Sequence, residues 1–148
     1  MKMGLNERLL RKAVKELIKQ GKPAKSSYGS CKYVLYENGK ELNCLIGKLV
    51  PKQHRKYLLE GKCAKTTIEL LTLKTKNRKY KPAIVKMDGK VAMLAQTVHD
   101  DYPDSSEVSW EEWLNSRILD PKSEVMIAAR IADGTSIEGP INASVNPQ

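Results

Sequence analysis

The dipeptide Asn38-Gly39 restricts how this chain can fold more than any other feature of the sequence. A two-residue type I′ turn needs positive φ at both central positions, which Asn and Gly tolerate, so the pair predicts a β-hairpin within residues 31–51. The turn also fixes the register, since a two-residue loop places Glu37 opposite Lys40. The further predicted pairs are Leu35 with Leu42, Tyr33 with Cys44, and Cys31 with Ile46. Because side chains alternate across a strand, those last six residues share one face, which helices must cover.

The helix that precedes the hairpin is predicted over residues 6–20. Its apolar residues, among them Val14 and Leu17, recur at helical spacing, and Lys and Arg fill the opposite face. Asn6 can cap its beginning and Gly21 ends it. The apolar stripe predicts that this helix covers the hairpin.

The sequence predicts the secondary structure of the segments after the hairpin less clearly. Pro51 is predicted to be the first residue of a short helix that runs to about Glu60, because proline is favoured at that position. Residues 66–73 fit either a strand or one to two helical turns. Residues 90–101 favour a helix over a second hairpin at Asp88-Gly89, because their apolar side chains fall at helical spacing.

The C-terminal third begins with a capping-box pattern, Ser109-Trp110-Glu111-Glu112, which predicts a helix with Trp113, Leu114 and Ile118 inward. Residues 120–138 fit a helix or a hairpin. Residues 141–148 lack apolar periodicity and are predicted to be an extended or mobile tail.

The length of 148 residues fits one domain. We expect a single α+β domain over residues 1–140, built on the hairpin or a small antiparallel sheet. The N-terminal helix and helices near residues 90–118 are expected to cover that sheet.

The sequence also bears on the compartment. No stretch reaches the ~18 apolar residues that span a bilayer, and the N-terminal residues lack the apolar run of a signal peptide. The three cysteines are odd in number and lack Cys-x-x-Cys spacing, which is typical of reduced thiols. We therefore expect a cytoplasmic protein that does not bind a membrane.

The net charge of +9 is divided unevenly along the chain. Residues 1–99 hold 23 Lys and Arg against 7 Asp and Glu, whereas residues 100–148 hold 3 against 10. This asymmetry indicates either a basic surface for a polyanion or an acidic C-terminal part that folds back over a basic body. Ordinary solvated lysines are the alternative interpretation.

Two basic segments are candidate binding surfaces. One surrounds Tyr80, which could stack on a base, and precedes Pro82, which predicts an exposed loop; the other lies on the predicted short helix, beside His54. The candidate binding residues are Lys52, Arg55, Lys56, Lys74, Lys76, Arg78, Lys79, Tyr80 and Lys81. If the two segments are adjacent, they form a patch able to bind nucleic acid or an acidic protein surface.

A zinc site is a weak alternative. Cys31, Cys44 and His99 would supply three of the four ligands that structural zinc requires, and the fourth is missing. Small buried hydrophobic residues explain the two thiols more simply. We therefore predict no metal site and no cofactor.

Catalytic patterns are weaker still. His54, His99-Asp100 and a later Asp120 or Asp133 follow the residue order of HD-type metal hydrolases, but that site belongs to an all-helical bundle. A Gly-x-Ser-x-Gly motif and a phosphate-binding Gly-rich loop are both absent from the sequence. We predict no catalytic residues.

A series of short motifs runs in a fixed order over roughly residues 7–117. It comprises the first helix, Cys31 and Tyr33, then Cys44, Gly47, Leu49 and Pro51, Tyr57, Glu60-Gly61-Lys62, Gln96 with His99-Asp100, and Trp110 with Trp113. This order resembles a group of small tailed-bacteriophage proteins without an assigned activity. Lys48 departs from the pattern, because many of those proteins have a further Cys there. Residues 74–86 and the part after Arg117 are particular to this chain.

The resemblance implies a phage accessory role of the host-takeover or anti-defence type. Together with the absence of a catalytic pattern, it predicts a non-enzymatic protein that binds a host macromolecule through its basic surface. Direct DNA or RNA binding is the first alternative, and a metal-dependent hydrolase is the second.

Overall fold

The computed structural model describes residues 3–25, 32–79, 81–103 and 107–136. Its elements, in chain order, are α1 (Leu5–Gln20), β1 (Val34–Glu37), β2 (Lys40–Asn43), α2 (Leu45–Leu49), a 3-10 helix (Lys52–Tyr57), α3 (Ala64–Lys74), a 3-10 turn (Ala83–Lys86), α4 (Gly89–Asp100), α5 (Trp110–Leu114), a π-helix (Asn115–Leu119) and α6 (Glu124–Asp133). The two strands form one antiparallel sheet, and α1 packs against it. The predicted α+β class is confirmed.

The hairpin turn and its register are as predicted. Asn38 and Gly39 have φ of 52° and 78°, and Glu37 pairs with Lys40. Leu35 pairs with Leu42, which is buried. The side chain of Gln20 at the end of α1 bonds both backbone groups of Asn43, at 2.9 and 3.1 Å, which fastens the hairpin to α1.

The predicted continuation of the second strand is wrong. The ladder ends at Val34–Asn43, and Cys44 instead caps α2, its Sγ accepting from Gly47 N–H at 3.4 Å. Tyr33 is not paired with Cys44, because its backbone N–H donates to the Glu60 carboxylate at 2.8 Å. Ile46 is buried within α2, and Cys31 lies outside the described residues.

Helix α1 begins differently from the prediction. Its N-cap is Gly4, and Asn6 lies inside the helix. The carboxylate of Asp133 accepts from the backbone N–H groups of Asn6 and Glu7 at 2.9 and 3.0 Å. Asp133 therefore caps the N-terminus of α1 in place of Asn6. Gly21 ends the helix with φ 87°, as predicted.

The open segments resolve into helices. Residues 66–73 lie within α3. Asp88 caps α4, bonding two backbone N–H groups of its first turn, which confirms the helix over the second hairpin. Within residues 120–136, α6 is capped by Ser123 and ends at Gly134, φ 70°. Residues 137–148, including the predicted tail, lie outside the described part.

The core lies among α1, α2, α4, α6 and the π-helix, and α3 packs on α4 and adds Ala64, Ile68 and Leu71 to the same core. Ser109 caps α5 through Glu112 N–H, and Trp113, Leu114 and Ile118 are buried as predicted. The indole N–H groups of Trp110 and Trp113 donate to the carbonyls of Leu17 and Val98 at 2.9 and 2.8 Å. Among the described helices, none combines the length and apolar character needed to cross a membrane.

Candidate functional site

The two basic segments are adjacent in the fold. The 3-10 helix packs on α3, whose last turn leads into residues 75–79. Lys56 and Lys74, one from each segment, hold their ammonium groups 5.3 and 5.7 Å from the centre of the Tyr57 ring. We call the exposed cations of both segments the basic patch: Lys52, Lys56, Lys74, Lys76, Arg78, Lys79 and Lys81.

The charges of the basic patch are not neutralised by carboxylates of the described residues. Within the described ranges, the ion pairs between cationic side chains and carboxylates involve Arg11, Lys22, Arg55 and Arg130, and none of these belongs to the patch. Clustered like charges repel one another, so holding them together without partners costs stability. Such a cluster is suited to a negatively charged partner.

Two of the candidate binding residues do not join the patch. Arg55 is half-buried, with Nη1 2.5 Å from the Glu41 carboxylate and Nε donating to the Val50 carbonyl at 3.1 Å. Its guanidinium therefore joins the 3-10 helix to the hairpin, and we do not count Arg55 among the unpaired cations of the patch. Tyr80 lies outside the described residues.

A groove of about 600 Å³ opens between the 3-10 helix and the end of α3. We call it the His54 groove; it is lined by Gln53, His54, Leu73, Lys74, Asn77, Arg78 and Lys79. His54 is almost fully buried and its ring stacks on Tyr57, with the ring centres 6.2 Å apart. Leu73, in contrast, is 69% exposed.

The proposed zinc ligands are engaged elsewhere. His99 is sealed in the core: Nε2 accepts from Ala24 N–H at 3.4 Å and Nδ1 lies 2.9 Å from Asp100 Oδ1. Burial raises the pKa of the Cys44 thiol to about 12, so this thiol stays protonated. Since both histidine nitrogens already have partners, His99 is a structural residue.

The residues of the hydrolase pattern are not brought together in one site either. Asp133 binds the start of α1 and Asp120 accepts from Lys122 N–H at 2.8 Å, while His54 lies in the groove described above. In the part of the chain that the structure describes, no group of three or more His, Cys, Asp and Glu side chains is placed to hold a metal ion.

A second cleft, of about 520 Å³, lies between the hairpin, α3 and α4. Its wall includes Tyr33, Cys63, Gln96 and Asp100. Cys63 is exposed, and a hydrogen bond with Thr66 lowers the pKa of its thiol. Burial raises the pKa of Tyr33 to about 12. Gln96 joins the elements here, accepting from Ile46 N–H and donating to Asp100.

The acidic C-terminal part does not pair with the basic patch within the described residues. Its Asp133 binds α1, as described above, and its Arg130 forms a buried ion pair with Glu7 at 2.9 Å. These side chains of the C-terminal part therefore bond α1, within the basic part of the chain, and not the basic patch.

Sequence reasoning missed Gln53, Leu73 and Asn77 as groove residues. Gln53 and Asn77 are amides that each follow a lysine, and Leu73 ends the segment that fits a strand or helical turns, so no signal in the sequence separated them from neighbouring surface residues. The position of the Tyr57 ring beside two lysine ammonium groups was also missed.

Scans of this sequence against models of protein families, curated proteins and solved structures find no match.

Proposed function

We propose that this protein is a non-enzymatic binding protein that docks on an acidic surface of another protein through the basic patch. The observation that carries the proposal is the juxtaposition of two separate basic segments, whose cations in the basic patch have no carboxylate partner among the described residues. The resemblance to tailed-bacteriophage proteins makes a bacterial host protein, bound in the infected cell, the expected partner.

Among the described residues, the aromatic side chain beside the basic patch favours a protein surface over single-stranded nucleic acid. Proteins that bind single strands usually offer an aromatic face for base stacking. The Tyr57 ring lies near two ammonium groups and against His54, and it is half-buried. The exposed Leu73 beside the cations supplies an apolar contact of the kind that protein interfaces bury.

The test compares two variants that lose the same charge. One replaces Lys76, Arg78, Lys79 and Lys81 of the basic patch by Gln; the matched control replaces Arg8, Lys12, Lys15 and Lys19, exposed cations of α1, by Gln. Each immobilised variant is exposed to nuclease-treated bacterial extract, and the captured proteins are identified by mass spectrometry. We expect a specific partner to bind wild type and the α1 variant and to be lost, by roughly tenfold or more, from the patch variant.

Both variants should keep the stability of wild type within ~0.5 kcal/mol, because the substituted side chains are exposed. Equal capture by all three proteins would contradict the proposal. Loss of binding in both variants would mean that net charge, and not the patch, is responsible.

Direct DNA or RNA binding is the second candidate, and the unpaired cations favour it because phosphate contacts need no aromatic ring. It predicts retention on duplex or single-stranded DNA whose affinity falls steeply between low and high salt. Absence of retention at low salt would exclude it.

A further inference from the structure

His54 is the unusual member of the His54 groove. Only 6% of the residue is exposed, and its Nδ1 is closed off from solvent without a hydrogen-bond partner among the described residues. A buried polar atom without a partner lowers stability. His54 is nevertheless one of the residues that line the groove.

The environment of the ring favours one of the two neutral tautomers. An enclosed N–H without an acceptor is tolerated less often than an enclosed lone pair, so the proton is better placed on Nε2 than on the sealed Nδ1. Nε2 is not closed off in the same way. In this tautomer the ring offers an N–H donor at the groove.

The other groove residues offer donors as well. Lys74, Lys79 and the forked guanidinium of Arg78 are cationic, and the amides of Gln53 and Asn77 can each donate. No Asp or Glu is among the residues that line the groove within the described part of the chain. The groove therefore combines several cationic donors with neutral ones, and no lining carboxylate opposes an anion.

The anion that fits this arrangement has many acceptors and more than one charge. A carboxylate has two oxygens and a single charge, whereas a phosphate monoester carries nearly two charges and three strong acceptor oxygens. Arginine binds phosphate with two parallel hydrogen bonds, and clusters of arginine are a recurring way to bind phosphorylated side chains.

We propose that the His54 groove is a subsite for a phosphate monoester, and that the protein partner is recognised through a phosphorylated side chain. This inference rests on the proposed function for the identity of the partner, but the subsite itself can be tested with small anions alone.

The direct test is an NMR titration of the imidazole signals with inorganic phosphate, at constant ionic strength set with chloride. The protein has two histidines. His99 is sealed in the core and bonded at both nitrogens, so it is an internal control. We expect a saturable shift of the His54 signals and none of the His99 signals. A linear shift, or no shift of His54, would overturn the subsite.

Variants separate the subsite from bulk charge. His54→Phe keeps a ring against Tyr57 and removes the N–H donor, and Arg78→Gln removes the guanidinium group. Each substitution should weaken phosphate binding about tenfold. Binding is measured from the NMR signals of the backbone amides of residues 74–79. The four-charge α1 variant should change it less than about twofold. If His54→Phe unfolds, His54→Asn tests the same loss of the Nε2 donor. Equal weakening by the α1 variant would overturn the subsite.

The source of the phosphate is tested with peptides. A phosphoserine peptide should bind more tightly than the same peptide with Glu at that position, by about fivefold or more. Tighter binding of a 5′-phosphorylated oligonucleotide than of the phosphopeptide would overturn the assignment to a protein partner. Because the phosphate titration needs no macromolecule, the subsite and the proposed function can fail independently.

Discussion

Glu7 lies in α1 with its side chain buried between two arginines. Its Oε1 accepts from Arg130 Nε at 2.9 Å, and its Oε2 accepts from Arg11 Nε and Nη2 at 3.0 and 2.8 Å. Arg130 is 3% exposed. Such a buried ion pair adds little compared with apolar residues of the same size, but removing one member leaves the other charge in a poor environment.

The substitution Glu7→Gln should therefore destabilise the protein by ~3 kcal/mol, because Arg130 would keep its burial and lose the carboxylate. Urea unfolding followed by circular dichroism measures this change. Glu69→Gln is the matched control, since Glu69 is exposed on α3 and should shift stability by ~0.5 kcal/mol or less. Equal stabilities for the two variants would show that the Glu7 ion pair is not formed in solution.

The same residue predicts how stability depends on pH. Burial alone would raise the pKa of Glu7, but the hydrogen bonds and charges of Arg130 and Arg11 outweigh burial and hold the pKa below its ordinary value. A carboxyl whose pKa is lower in the folded state stabilises the fold above its unfolded pKa, and this contribution is lost as the pH falls through the folded pKa. We expect unfolding free energy to decline below about pH 4.5 and to decline less steeply in Glu7→Gln. Parallel pH profiles would contradict this assignment.

At the scale of elements, α2 depends on a close approach between two backbones. A Cβ built on Gly47 would lie 2.4 Å from the carbonyl oxygen of Tyr33 and 3.0 Å from Cβ of Asn43. Neither the backbone of Tyr33 nor the first carbon of a side chain can move aside without displacing the hairpin. The glycine therefore sets the distance between α2 and the hairpin.

Gly47→Ala is expected to destabilise the protein by ~2 kcal/mol, although alanine favours a helix by about 1 kcal/mol over glycine. Lys48→Ala, one residue along the same helix, is the control and should have little effect on stability. Thermal unfolding compares the two. An unchanged or raised melting temperature for Gly47→Ala would mean that the hairpin does not approach α2 so closely.

Elements that depend on neighbouring residues were predictable from the sequence. The Asn38-Gly39 turn, the apolar stripe of α1 and the Ser109 cap each involve residues within a few positions, and each is confirmed. The strand prediction is wrong at Cys44. The alternation of side chains expected for the second strand continues through this residue in the sequence, but in the structure its thiol caps α2. The basic patch was predictable as two charged segments, but their adjacency depends on how the 3-10 helix packs on α3.

At the scale of the whole molecule, the two charged halves of the chain meet at the beginning of α1. Asp133, at the end of α6, reaches across 127 sequence positions to bond the backbone N–H and the side-chain amide of Asn6, both at 2.9 Å, and it also accepts from Glu7 N–H. The carboxylate occupies the space that a side chain at Gly4 would need. A long-range contact of this kind has no periodic signal in the sequence, which is why Asn6 was expected to be the cap.

Asp133→Asn tests this closure of the chain. The side-chain amide keeps one acceptor oxygen, but its NH2 group would face a backbone N–H of α1, which is also a donor. The substitution also removes a negative charge from the positive end of the helix dipole. We therefore expect the free energy of unfolding to fall by ~2 kcal/mol. Hydrogen exchange should accelerate most at the amides of Asn6 and Glu7 and in the last turn of α6. Asp101→Asn, an exposed carboxylate at the end of α4, removes the same charge and should leave these rates unchanged. Uniform acceleration over the hairpin and α3 as well would show that Asp133 supports the fold as one cooperative unit; unchanged exchange at α1 would contradict the closure.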